Sequence, residues 1–168
     1  MTVLEAMKQR KSVRKFTEQK VSDEQIRKLL EAAMTSPSAV NKRPWHFIVV
    51  KSEENKKKVI DAMPFGKYKS PIIIIPCIKE IHTMPLFAHD LAYCDLSAAT
   101  ENILLEAVEL GLGSVWCAIY PDKARIKAIK KALNIPLGIT PFSCIYIGYE
   151  DGHVDPKDKF DESRIEYK

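Results

Sequence analysis

Between Arg10 and Phe16 the chain reads R-K-S-V-R-K-F, four cations and one hydroxyl in seven residues. In an extended strand, residues two apart point the same way, so Arg10, Ser12 and Arg14 would share one face and leave Lys11 and Lys15 to water. Two guanidiniums and a hydroxyl converging on one spot suit a phosphate, which takes paired charge-assisted bonds from arginine. The run reads equally as a solvated helix end, where the helix dipole favours cations, or as a patch for nucleic acid. A second candidate is P-S-A-V-N-K-R-P-W, from Pro37 to Trp45. As local structure it is a helix-stopping loop entering a strand. Its hydroxyl, amide and flat aromatic ring could also line a planar ligand.

Other chemistries lack their residues. His46, His82, His89 and His153 are scattered without H-E-x-x-H spacing, and Pro85 interrupts any helix joining His82 to His89, so no metal pair is expected. No G-x-S-x-G elbow, G-x-G-x-x-G fingerprint or Walker loop occurs. Cys77, Cys94, Cys117 and Cys144 stand singly in apolar surroundings and read as reduced, buried core thiols.

Positioning falls to a mixed set of elements. Val3 to Gln9 forms a short helix leading into the basic run. Ser22 and Gln25 make a capping box, followed by Ile26, Leu29, Leu30 and Ala33 at helical spacing, with Pro37 ending that helix. Trp45 to Lys51 reads as a strand, S-E-E-N-K-K-K-V-I-D-A-M as a capped surface helix, and Pro71 to Ile78 as a strand buried on both faces, Pro76 marking a bulge or an edge. From Asp90 to Leu110 a helix is apolar nearly all round, which places it in a thick core or against another subunit. Gly111 closes it. S-V-W-C-A-I-Y is a strand, Pro121 starts a lysine-studded helix at its first position, and F-S-C-I-Y-I-G-Y-E is the last central strand. Residues 150–168 form a polar tail without helical periodicity. Helices and strands mix without regular alternation, which favours α+β.

Length and charge bound the rest. At 168 residues the chain suits one domain spanning 1–168. Its 26 Lys and Arg against 22 Asp and Glu leave a net charge of +4, interspersed and too mild to argue for nucleic acid. The eight-residue run from Pro71 to Ile78 is too short for a membrane, which needs about 20 residues. The charged amino terminus lacks an export signal, so a cytoplasmic protein is expected.

Four motifs now stand in order: R-x-S-x-R followed by F, then P-S-A-x-N-x-x-P-W, then G-L-G-x-x-W after the long apolar helix, then a strand ending I-G-Y. Together, collinear over essentially the whole chain, they resemble the FMN-dependent nitroreductase family. The resemblance implies a central, mostly antiparallel sheet flanked by helices, with the tail extending onto the partner of a homodimer. It implies bound FMN reduced by NADH or NADPH, and a ping-pong cycle passing electrons to nitroaromatics, quinones or other flat, electron-poor small molecules, with no catalytic side chain and no metal required. Arg10, Ser12 and Arg14 would share the FMN phosphate, ribityl chain and pyrimidine edge. Pro37, Ser38, Ala39 and Asn41 would approach from the neighbouring subunit, and Trp116, Cys117 and Ala118 would wall the ring. Lys159, with Arg164 as the fallback, would complete the phosphate site where relatives often have Arg. Two departures are visible: Arg43 stands where relatives often have Gln, and the short stretch between Lys79 and Asp90 leaves room only for a small lid. A flavin-storing protein, a flavin-dependent dehydrogenase of one metabolite, and a basic nucleic-acid module remain as rival readings.

Overall fold

The computed structural model describes residues 1–79 and 88–168; the expected lid and His82 lie outside them. Helix α1 spans Val3–Gln9 and opens on a capping box between Thr2 and Glu5. Helix α2 spans Asp23–Met34 and begins with the Ser22–Gln25 box read from the sequence. It stops at Met34, with the Thr35 hydroxyl donating to the Ala32 carbonyl at 2.7 Å, ahead of Pro37. Strand β1 (Trp45–Val50), helix α3 (Glu53–Ala62), strand β2 (Ile72–Lys79) and helix α4 (Ala88–Glu109) follow. Strand β3 (Gly113–Ala118), helix α5 (Lys123–Ala132) and strands β4 (Ile139–Pro141) and β5 (Ser143–Gly148) complete the domain.

The sheet runs in the order β1-β2-β5-β3, with the short β4 also paired to β2, and every pairing is antiparallel. Successive side chains of the inner strands go to opposite faces. Ile72, Ile74, Ile145 and Ile147 join Leu29, Ile103 and Leu104 on the α2–α4 side. Ile73, Ile75, Cys144 and Tyr146 join Val59, Met63 and Ile129 on the α3–α5 side. Helices therefore cover both faces, and this is why β2 reads as an unbroken apolar run.

Several expectations need correction. Pro76 lies inside the sheet, opposite Phe47 on β1, at the point where β2 exchanges β5 for β4 as its second partner. Its carbonyl accepts the Phe142 N–H at 2.9 Å, and the N–H it lacks falls in the gap between the two pairings, so the edge reading does not hold, and opposite β1 the register runs through Pro76 without a bulge. Pro121 precedes the start of α5, which Asp122 caps by accepting the N–H groups of Ala124 (2.9 Å) and Arg125 (3.1 Å). A carboxylate satisfying two free donors outcompetes a proline that merely lacks one. Helix α4 buries one stripe (Ala92, Leu96, Ala99, Ile103 and Ala107), while Leu91 and Cys94 on its other sides are exposed. Cys94 is thus no core thiol, unlike Cys77, Cys117 and Cys144. Gly111 ends α4 at φ +70° as expected, and Leu112 N–H donates to the Ala107 carbonyl at 2.7 Å.

Close packing and buried acids give two tests. A Cβ on Gly148 would lie 2.4 Å from Pro71 Cδ, so Gly148→Ala is expected to cost about 1–3 kcal/mol in urea denaturation. Burial pushes the Cys77 thiol up to about 12 and raises Cys144 and Tyr146 as well. Above the ordinary thiol value of about 8.5 an unfolded chain sheds protons that the folded one keeps, so unfolding gains from rising pH. Urea midpoints should fall steadily above about pH 9, and the fall should weaken in Cys77→Ala.

Candidate functional site

The basic segment is seated by its one aliphatic residue, Val13, with Phe16 packed on the α3–α5 side of the core. It leaves α1 at Arg10, whose N–H still donates to the Ala6 carbonyl at 2.9 Å, and then lies along the free edge of β3. Val13 N–H donates to the Ser114 carbonyl at 2.9 Å, and Ser12 pairs with Ser114 in a parallel bridge. The Val13 side chain is buried over Gly113, where an added Cβ would come within 2.7 Å of Val13 Cγ2. Further on, Thr17 N–H donates to the Tyr149 carbonyl (2.9 Å) and Asp151 N–H to the Lys15 carbonyl (3.0 Å).

With Val13 turned inward, Ser12 and Arg14 take the other side. Arg10 Nε lies 3.3 Å from Glu101 Oε1 on α4 and is buried without a hydrogen bond. Arg14 is exposed, donates only to the Ser12 carbonyl at 3.3 Å, and has no acidic partner among the described residues. Lys15 is exposed, as expected. Lys11 is not: its ammonium lies 2.9 Å from Glu150 Oε2 and also donates to the Val154 carbonyl. The extended backbone turns Lys11 toward the chain leaving β5, which carries a carboxylate there.

Strand β3 brings the third motif beside this segment. Trp116 is half-buried edge-on to Phe142 at 5.7 Å, Cys117 is buried and Ala118 is exposed. Burial raises the Cys117 thiol and the nearby Arg14 charge opposes the rise. Three further residues here went unread in the sequence. Gly66, at φ +69°, comes so close that its Cβ would sit 2.8 Å from Cys117 Sγ. Arg125 donates to the Ala118 carbonyl at 3.0 Å and stacks over the Phe65 ring at 4.2 Å. The P-F-G turn before β2 was the available signal. Two clefts beside the basic segment hold about 310 and 340 Å³, at the small end for a ligand site.

The second motif is held by a different part of α4. Ser38 leads into a tight turn at Ala39–Asn41, and Ala39 N–H donates to Asp95 Oδ1 at 3.0 Å. Arg43 N–H donates to Ser38 Oγ at 3.0 Å, and Arg43 Nε to Asn41 Oδ1 at 2.9 Å. Val40, Asn41 and Arg43 all take left-handed backbone, at φ between +50° and +53°. Asp95 is 7% exposed, and its Oδ2 has no hydrogen-bond partner among the described residues. Asp95 and Glu101 are six residues apart, about 9 Å along the helix and roughly a third of a turn around it. No hydrogen bond or ion pair among the described residues joins the loop from Pro37 to Asn41 with Arg10, Arg14 or β3. Lys159 lies in the exposed tail, and Arg164 pairs with Asp161 at 2.8 Å; neither reaches the arginine cluster of its own chain. His153 is exposed beside Asp155.

Asp95→Ala is expected to speed hydrogen exchange of the Ala39 amide at least about tenfold. Global stability should shift by only about 1 kcal/mol, since the lost bond is offset by removal of an unpaired buried oxygen. Asp95→Asn, which keeps an acceptor, should preserve the amide's protection in the same measurement.

Comparison with known proteins agrees with this architecture. The model of the Nitroreductase family matches residues 7–64 and 67–149. A protein of Methanothermobacter thermautotrophicus, provisionally named NADH dehydrogenase/NAD(P)H nitroreductase, is 42% identical over 168 residues, covering 98% of this chain and 86% of its own. A crystal structure from Parabacteroides distasonis with the same provisional name superposes with TM-score 0.90 at 35% identity, covering 98% of this chain and 96% of its own. An FMN-dependent nitroreductase of Clostridium difficile superposes with TM-score 0.86 at 27% identity, covering 98% of both chains. With most of its length matched in sequence and fold alike, this chain belongs to the nitroreductase family.

Proposed function

We propose that the protein is an FMN-dependent oxidoreductase that takes electrons from NADH or NADPH and passes them, in a ping-pong cycle, to nitroaromatics, quinones or similarly flat, electron-poor acceptors. The observation that carries this reading is the seating of Ser12 against Ser114 on β3, with Arg14 near Cys117 and donors left over. Among the described residues the buried Arg10 Nε has no hydrogen bond, only an ion pair with Glu101 at 3.3 Å, the Ser12 hydroxyl makes no bond, and Arg14 has no acid against it. Such a donor set fits a phosphate and a polyhydroxyl chain. The names of the relatives, an FMN-dependent nitroreductase and NAD(P)H nitroreductases, point the same way.

Bound FMN supplies the electron transfer itself. The chain's residues supply grip, dryness and field. Arg10, Ser12 and Arg14 hold the phosphate, ribityl chain and pyrimidine edge. A guanidinium of Arg10 or Arg14 close to the ring would stabilise the negative charge that reduction adds and so make reduction easier. Trp116, Cys117 and Ala118 keep water from one side of the ring.

A single chain offers only a shallow grip, and a homodimer would complete it. The loop of Pro37, Ser38, Ala39 and Asn41 is braced on another side of α4 from Arg10, so it suits the partner's site better than its own. The tail exposes Phe160 (76%) and Tyr167 (89%), and α1 exposes Val3, Leu4 and Met7, apolar surface that a second copy would cover. Lys159 would then complete the partner's phosphate site from that tail. Among the described residues no helix is long and apolar enough to cross a membrane, and we place the enzyme in the cytoplasm. Lys11 is already taken up by Glu150, which leaves the run fewer free cations for a nucleic-acid patch.

The purified protein should be yellow, bleach with NADH or NADPH, and recover colour with a nitroaromatic or quinone. Arg10→Ala with Arg14→Ala should fold normally by circular dichroism yet bind FMN at least about tenfold more weakly. Full flavin occupancy in that double variant would overturn the assignment.

A further inference from the structure

We infer that Arg43 makes this site select acceptors carrying an anionic substituent. The inference rests on the reading that the loop of Pro37 to Asn41 lines the flavin site of the partner. What distinguishes Arg43 from an ordinary surface cation is how firmly its base is fixed. Its backbone N–H is held by Ser38 Oγ and its Nε by Asn41 Oδ1, and Asn41 follows Ala39, whose own N–H is tied to the buried Asp95. Three left-handed residues within four positions persist only where the surroundings over-determine them, and these bonds do so.

Fixing Nε leaves the two terminal nitrogens of the guanidinium. Among the described residues neither donates to any protein acceptor, and no carboxylate pairs with Arg43. From Pro37 to Trp45 the only charged side chains are Lys42 and Arg43, and the buried Asp95 carboxylate that holds the Ala39 N–H pairs with neither among the described residues. A planar fork held by its base is a carboxylate-binding geometry, and an ammonium on a flexible stem would not reproduce it. The ligand class is therefore a flat, reducible ring bearing a carboxylate or a comparable oxyanion. The 2′-phosphate of NADPH is the other anion that could reach the same fork, and the test separates the two.

The test uses FMN-loaded protein and the isosteric pair 4-nitrobenzoate and 4-nitrobenzamide, with wild type, Arg43→Gln and Arg43→Lys. Calorimetry gives the two dissociation constants for the oxidised protein, and steady-state kinetics gives kcat/KM with each acceptor and with NADH or NADPH. Wild type is expected to favour the carboxylate, and Arg43→Gln to cut the benzoate-to-benzamide ratio about tenfold in both measurements, chiefly through binding and KM. Arg43→Lys should restore only part of the ratio. An unchanged ratio in Arg43→Gln overturns the inference, as does a change confined to the NADPH-to-NADH ratio. Absence of bound flavin and of reduction of either acceptor in wild type would instead overturn the functional reading beneath it.

Discussion

At the site Val13 packs directly over Gly113, where one added carbon would fall 2.7 Å from Val13 Cγ2. Everything about the basic segment follows from that approach. A buried valine contributes roughly 1.5–3 kcal/mol, enough to offset ordering one or two residues of backbone. The segment is thus held by its only aliphatic residue and by its backbone bonds to Ser114, Tyr149 and Asp151. Lys11 and Arg10 add ion pairs to Glu150 and Glu101, while Arg14 and Lys15 take no part in holding it among the described residues. Once Val13 points into the protein, strand alternation alone sends Ser12 and Arg14 to the opposite side.

Helix α4 carries the second half of the design. One face is core, and two carboxylates on other sides reach out to functional segments: Glu101 toward Arg10, Asp95 toward the turn after Ser38. A buried carboxylate is costly unless bonded, and Asp95 has one good bond and one bare oxygen. The cost is tolerable because that single bond restrains a turn whose backbone is itself unfavourable. Strain in the loop and desolvation on the helix are thereby borne at the same contact.

Much of this was legible in the residues. Capping at Ser22, termination at Gly111 and the doubly buried β2 all follow from local rules of spacing and conformation. What escaped were tertiary matters. Lys11 found a carboxylate well over a hundred residues away, and Gly66 earned its place through the approach of Cys117. Pro76 looked like an edge marker because nothing local reveals that β2 changes partners there. Asp95 is the lone charge between Leu91 and Thr100, yet its contact with the Ala39 N–H depends on where the Ser38 turn lands. The α+β class survived these misses because it rests on the order of elements and not on any one contact.

Strand β3 ends the sheet, and its outer row of peptide groups would be open to pairing with any passing strand. The Arg10–Phe16 run lies across part of that row, with charge on both sides of Val13. Proteins guard such rims with cations and short coverings to deter sticky, fibril-like association. The same seven residues therefore shield a sheet edge as well as forming the proposed ligand grip. Peeling them off β3 would bare that row of peptide groups to edge-to-edge pairing.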